Sequence, residues 1–239
     1  MIIAARFNGP PASGNGGYSA GLFASQLSSP TPAEADQRGN ASELDGARVL
    51  EVTLRRPPPL ETELTVEPGN PTRLLAGDEL IAEAVPSRVA DDEVVPPLPL
   101  SGARAAVAEY AGFREHPFPT CFVCGPEREP GDGLRIFPGR LPDGRVAAPF
   151  EVPAEVSPVL VWAALDCPSG WAVPLETRAY VLGRMAVRVA RLPEPGDECV
   201  VVGLMTGQDG RKAHSRSTLY SPDGEVLALA RATWVALSA

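Results

Sequence analysis

The sequence predicts an α+β chain of two tandem units, each a long helix wrapped by an antiparallel sheet. Three observations carry this reading. Short stretches recur in the same order along the chain. Each copy reads as a short strand, one helix and then only strands. Finally, 27 Pro and 23 Gly among 239 residues provide many turns and leave room for few long helices.

The recurrences are local but ordered. Phe7-Asn-Gly-Pro10, followed by a helical pattern from Asn15 to Leu27, matches Phe150-Glu-Val-Pro153, followed by one from Ser157, at an offset of 143. Val52-Thr-Leu-Arg-Arg-Pro-Pro58 matches Val187-Arg-Val-Ala-Arg-Leu-Pro193 at 135, and Gly77-Asp-Glu-Leu-Ile-Ala82 matches Asp223-Gly-Glu-Val-Leu-Ala228 at 146. Offsets that differ only by loop-sized amounts point to a duplicated unit of roughly 100 residues. The expected division is 1–95, a Pro/Gly-rich linker 96–144, and 145–239.

In the first unit Asn15 is a side-chain cap for a helix running to Leu27. Strands are expected near Arg48 to Leu54, Glu61 to Glu67, Thr72 to Ala76 and Leu80 to Val85, with Leu50, Val52 and Leu54 alternating against Glu51 and Thr53. Ser28 to Gly46, rich in Ser, Pro, Glu and Asp, reads as a surface loop. Pro96-Pro-Leu-Pro99 opens the linker, which holds a short helix at Gly102 to Tyr110 and a turn-rich stretch from His116 to Gly144. In the second unit Ser157 caps and Pro158 fits the first turn. Val159 to Leu165 is apolar on every side, so this helix must be wrapped. Pro168 should end it near Cys167. Met185, Val187 and Val189 then alternate along a strand, and Cys199 to Leu204 suits a sheet interior. Turns at Pro195-Gly-Asp197, Asp209-Gly210 and Pro222-Asp-Gly224 complete a meander.

One helix wrapped by an antiparallel sheet, twice in a chain, resembles the double hotdog acyl-CoA thioesterases. The resemblance rests on Asn15-Gly-Gly-Tyr18 opening the first helix, Leu165-Asp-Cys-Pro-Ser-Gly-Trp171 near the end of the second, and the closing Asp223 to Trp234 run. It covers most of the chain outside the linker. It implies hydrolysis of an acyl thioester, a CoA ester above all, with no cofactor. It leaves a homo-oligomer open.

Asp166 is the residue singled out for chemistry. Near a helix C-terminus and partly desolvated, its carboxyl should favour the neutral acid. At the 143 offset the first unit carries Phe23, so one active site per chain is expected. Asp166 would act as general base or as nucleophile. The competing reading has it binding N–H groups of a turn at Cys167 to Gly170. Gly16 and Gly17 match the glycine-bearing helix start that forms the oxyanion hole in such enzymes. Alternatively, Gly17 and Gly21 merely let the helix approach the sheet. By resemblance, Asn15 and Tyr18 contact substrate, while Thr206 and Gln208 stand in for the family's strand-borne hydroxyl and amide. His214 could orient a water or touch substrate.

Cys121-x-x-Cys124 with His116 upstream looks like half of a zinc site. A closed site needs four ligands, and Cys167 and Cys199 are assigned to a helix end and a strand, so no metal is expected. A net charge of −9 with no basic run argues against nucleic acid. The longest apolar runs fall well short of the ~20 residues that span a bilayer, and Met1 to Ala5 lacks a charged leader, so a cytoplasmic protein without membrane partners is expected. Four Cys in this length make no disulfide framework. Two further functions stay open: an acyl-binding protein without turnover, and an enoyl-thioester dehydratase or hydratase, which would need an Asp/His pair.

Overall fold

The structure, a computed structural model, describes residues 1–28, 49–174 and 178–237; most of the expected Ser28 to Gly46 loop lies outside them. Among the described residues, two long helices, α1 (Gly16–Ser28) and α3 (Pro158–Trp171), and a short one, α2 (Leu100–Ala106), accompany ten strands. The strands are β1 (Leu50–Leu54), β2 (Thr65–Glu67), β3 (Thr72–Ala76), β4 (Glu79–Pro86), β5 (Gly139–Arg140), β6 (Val146–Glu151), β7 (Tyr180–Val189), β8 (Glu198–Asp209), β9 (Lys212–Tyr220) and β10 (Val226–Ala236). They form one sheet in the order β2-β3-β4-β1-β7-β10-β9-β8-β6-β5. Every pairing is antiparallel. Both edges are very short strands, which limits the unpaired N–H and C=O groups on offer to another chain. No helix among the described residues is long and apolar enough to cross a membrane.

The register at the middle of the sheet is self-consistent. Leu50 of β1 pairs with Val187 of β7, and Val52 with Met185, so a local twofold exchanges Leu50 with Met185 and Val52 with Val187, an offset of 135. One strand further out, Leu50 faces Pro86 and Val52 faces Ala84, while Met185 faces Ala232 and Val187 faces Ala230. That relates β4 to β10 at an offset of 146.

Both long helices start at the expected caps. Asn15 Oδ1 accepts from Tyr18 N at 2.8 Å, and Ser157 Oγ from Leu160 N at 3.3 Å. The expected stop at Cys167 is overturned: α3 runs through Pro168 to Trp171. Proline removes one helical N–H and crowds the preceding turn, and hydroxyls engage the carbonyls there. Ser217 Oγ donates to Leu165 O at 2.7 Å, and Ser169 Oγ to Asp166 O at 2.8 Å. Every α3 residue from Val161 to Trp171 is buried, so packing holds the helix past the break.

Two other expectations are corrected. The strand expected around Phe7 is a 3-10 turn at Ala5–Phe7, because the chain reverses at once: Ser13 N donates to Pro10 O and Gly9 N to Ser13 O. The expected contact of Gly17 and Gly21 with the sheet is instead a contact between helices. A Cβ on Gly17 would lie 2.4 Å from Asp166 Cβ, and one on Gly21 2.7 Å from Trp162 Cβ. The 96–144 segment is more than a tether. α2 covers Ala147, Val200 and Val202 on one face of β6 and β8, while Tyr110, Cys121 to Cys124, Ile136 and Phe137 enter the main core.

Candidate active site

Asp166 sits where α1 and α3 touch and is 2% exposed. Its Oδ2 accepts from Gly17 N at 2.9 Å and from Asn15 Nδ2 at 3.0 Å. Its Oδ1 is buried with no hydrogen-bond partner among the described residues. Burial pushes the carboxyl up to about 7 against the pull of the Gly17 N–H, and the nearby Cys121 adds to the rise. Asn15 is fixed from both ends, with its Oδ1 capping α1 and its amide nitrogen on the carboxylate. The close approach that makes this possible requires glycine at 17, since any side chain there would strike Asp166 and the Trp162 carbonyl.

Beside the carboxylate lie three thiols. Cys121 and Cys124 come from the loop before β5, and Cys167 follows Asp166 in α3; the three sulfurs all lie within 4.8 Å of one another. Cys121 Sγ is 3.8 Å from Cys167 Sγ. The expectation that kept Cys167 apart from the C-x-x-C turn is therefore overturned. His116 Nδ1 accepts from Phe118 N at 2.8 Å, and its Nε2 lies 3.4 Å from Cys124 Sγ. Trp171 Nε1 donates to the same sulfur at 3.4 Å. Hydrogen bonds from Cys124 and Cys167 hold the Cys121 thiol well below its usual range, while burial pushes Cys124 and Cys167 up and lowers His116.

Asp166, Asn15, Gly16, His116 and the three cysteines line one cavity of about 550 Å³. Its other walls include Leu54, Phe118, Leu182 and Trp234. Arg55 and Arg56 also line it, paired with Glu83 and Glu79. A carboxylate with one unsatisfied oxygen, on a residue that lines an apolar hollow, can accept a proton from a bound molecule or attack it.

No protein-family model matches the sequence, and no curated protein is significantly similar to it. Solved structures are. A putative thioesterase from Novosphingobium aromaticivorans DSM 12444 matches 100% of this chain and 94% of its own at TM-score 0.57 and 12% identity. The TesB protein of Mycobacterium avium subspecies paratuberculosis matches 94% and 87% at TM-score 0.55 and 13% identity. A protein of unknown function with a hot dog fold, from Alicyclobacillus acidocaldarius, matches 99% and 92% at TM-score 0.50 and 13% identity. The chain has the hotdog fold.

Within this hotdog fold the expected site residues separate into two groups. Asn15, Gly16 and Asp166 line the cavity, and Gly17 bonds to Asp166. Gly17, expected as an oxyanion donor, has its N–H committed to Asp166, which leaves Gly16 as the cavity-lining glycine of the first turn. Tyr18 does not line the cavity; it stacks on Phe7 with ring centroids 3.9 Å apart. Thr206 and His214 line a separate polar pocket with Glu51, Arg184, Arg216, Arg231 and Thr233. Strand alternation explains this. His214 is paired with Thr233, on the opposite side of β10 from Trp234, whose indole donates to Ser169 Oγ on α3. Gln208 is exposed, and its amide reaches Gly210 O at 3.3 Å. Cys121, Cys124 and His116, set aside in the sequence as half of a zinc site, and Cys167, assigned to a helix end, are brought together at the cavity. Their signals were the C-x-x-C turn and a cysteine adjacent to the acid.

Proposed function

We propose that the protein hydrolyses acyl thioesters, CoA esters foremost, in the cavity that holds Asp166. The observation that carries the proposal is Asp166 Oδ1: buried, without a partner among the described residues, on a carboxylate whose other oxygen is held by Gly17 N–H and Asn15. The acyl chain lies against the Leu54, Phe118, Leu182 and Trp234 wall, and the thioester carbonyl meets Gly16 N–H, a first-turn donor without an intrahelical acceptor. Water forms the new C–O bond as its proton passes to Oδ1. The C–S bond breaks, and the departing thiolate takes that proton back. Direct attack by Oδ1, through an anhydride that water then opens, leads to the same products.

The hotdog neighbours named for thioesterase activity support the reaction class. The 135 and 146 offsets in the sheet register support a duplicated chain, with units 1–95 and 145–239 around the 96–144 segment. Arg55 and Arg56 supply cations for CoA phosphates, and four free cysteines suit the reducing cytoplasm. A hydratase reading has lost His214 as the partner of Asp166.

The test is a panel of acyl-CoA esters of graded chain length. Free acid is measured by chromatography, which the protein's own thiols do not disturb. Asp166→Asn keeps size and hydrogen bonding but removes the base, so turnover should fall by roughly 10² or more with the fold intact. Near-wild-type turnover in this variant would end the assignment. Tight binding of the esters by wild type with no acid released would make it a binding protein instead.

A further inference from the structure

We propose that Cys121, Cys124 and Cys167 bind one zinc ion as thiolates, with the fourth coordination position open to the cavity. The site shares the cavity of the hydrolysis reading but does not rest on that reading, and it is tested separately.

The sulfur geometry is the first support. Four ligands at ~2.3 Å around zinc form a tetrahedron whose edge is about 3.8 Å. Cys121 Sγ and Cys167 Sγ are 3.8 Å apart, and no pair among the three exceeds 4.8 Å. The frame is rigid before any metal arrives. The loop is pinned by Gly125 N to Cys121 O at 2.9 Å, Tyr110 OH to Cys124 O at 2.8 Å and Phe122 N to Asn8 O at 2.7 Å. Gly125 allows the tight knuckle, since a Cβ there would lie 2.5 Å from Cys121 N. Cys167 arrives on a buried helix turn.

The second support is independent: N–H donors surround the sulfurs. Trp171 Nε1 donates to Cys124 Sγ, and Asn15 Nδ2 lies 3.8 Å from Cys121 Sγ and 3.9 Å from Cys167 Sγ. His116 accepts from Phe118 N at Nδ1, so a neutral ring carries its proton on Nε2, directed at Cys124. The histidine is then an outer donor to a ligating sulfur and not the fourth ligand. Three buried thiols, weak acceptors, gain little from this ring of donors, whereas three thiolates on a dication leave a net negative charge that it stabilises more strongly. Soft sulfur ligands select zinc over magnesium or calcium. An odd number of sulfurs also leaves one unpaired in any disulfide scheme.

Elemental analysis of protein purified in reductant from zinc-supplied cells should find one zinc per chain. Cys167→Ser should lose it, and Cys199→Ser, in a strand of the sheet, should keep it. Trp171→Phe should weaken zinc retention against a chelator by about 10-fold to 100-fold. Protein from cells grown with cobalt in place of zinc should have intense thiolate-to-cobalt absorption of a four-coordinate site. This spectrum needs only the wild type, so it decides the matter even if a cysteine variant fails to fold. Wild type without stoichiometric zinc and without that spectrum overturns the proposal. So does a Cys121–Cys167 disulfide, seen as the loss of two hydrogens by mass in reductant-purified protein.

Discussion

α1 and α3 begin alike, each with a side-chain cap and an apolar body, yet they are built for different work. Counted from the caps Asn15 and Ser157, the position of Asp166 corresponds to Ala24, and the earlier sequence offset brings it to Phe23. Both of those side chains are buried apolar groups. The helix that lacks the acid contributes glycine instead, and its bare backbone comes close enough for Gly17 N–H to hold the carboxylate of the other. The lesson is that two similar helices can make unequal contributions, with one carrying a buried acid and the other giving up bulk to hold it.

Three changes break or sharpen this comparison, beyond the loss of turnover expected for Asp166→Asn. The largest effect on stability is expected at Phe23. It is fully buried, so Phe23→Ala should cost about 3–5 kcal/mol. Turnover per folded molecule should stay near wild type, as measured by urea unfolding alongside a titrated assay; a selective catalytic loss would mean that the two helices are not divided as described. Next is Gly17→Ala. Its new Cβ would meet Asp166 Cβ at 2.4 Å and Trp162 O at 2.8 Å. Pushing α1 off α3 should cost about 1–3 kcal/mol and reduce turnover as well, because the carboxylate loses its N–H partner. Unchanged thermal stability would show that the contact is looser than drawn. The smallest effect belongs to His214→Ala, on the far side of the sheet. Stability should move by no more than about 0.5 kcal/mol, with acid release unaltered. A large drop in rate there would bring the outer pocket back into the reaction.

Much of the architecture was legible because it is local or repeated. The 135 and 146 offsets found between sequence segments reappear in the sheet as the offsets that relate β1 to β7 and β4 to β10. The caps at Asn15 and Ser157 were equally readable. The extension of α3 was not, because the local rule for Pro168 gives way to burial and to the Ser217 hydroxyl, which come from distant strands. In the site, Asp166 could be picked out as an acid in an apolar helix. Its partners could not: Gly17 reads as a generic helix start until a second helix is laid across it. The joining of Cys167 to the C-x-x-C turn escaped for the same reason, since Cys121 and Cys167 are 46 residues apart and only the folded loop brings them together. Side chains on β9 were divided by strand alternation, but alternation alone does not say which face the helices cover.

The hydrogen bond between Asn15 and Asp166 spans 151 residues, and Arg184 on β7 donates to Thr53 on β1 across 131. During synthesis the donors of the site therefore leave the ribosome long before the acceptor exists. In that interval β1, a strand destined for the middle of the sheet, has an open edge and α1 lacks the helix that covers its glycine face. Such an interrupted chain is exposed to wrong pairing with its neighbours. A pause in translation before α3 therefore leaves the β1 edge that β7 later covers open to pairing with another chain.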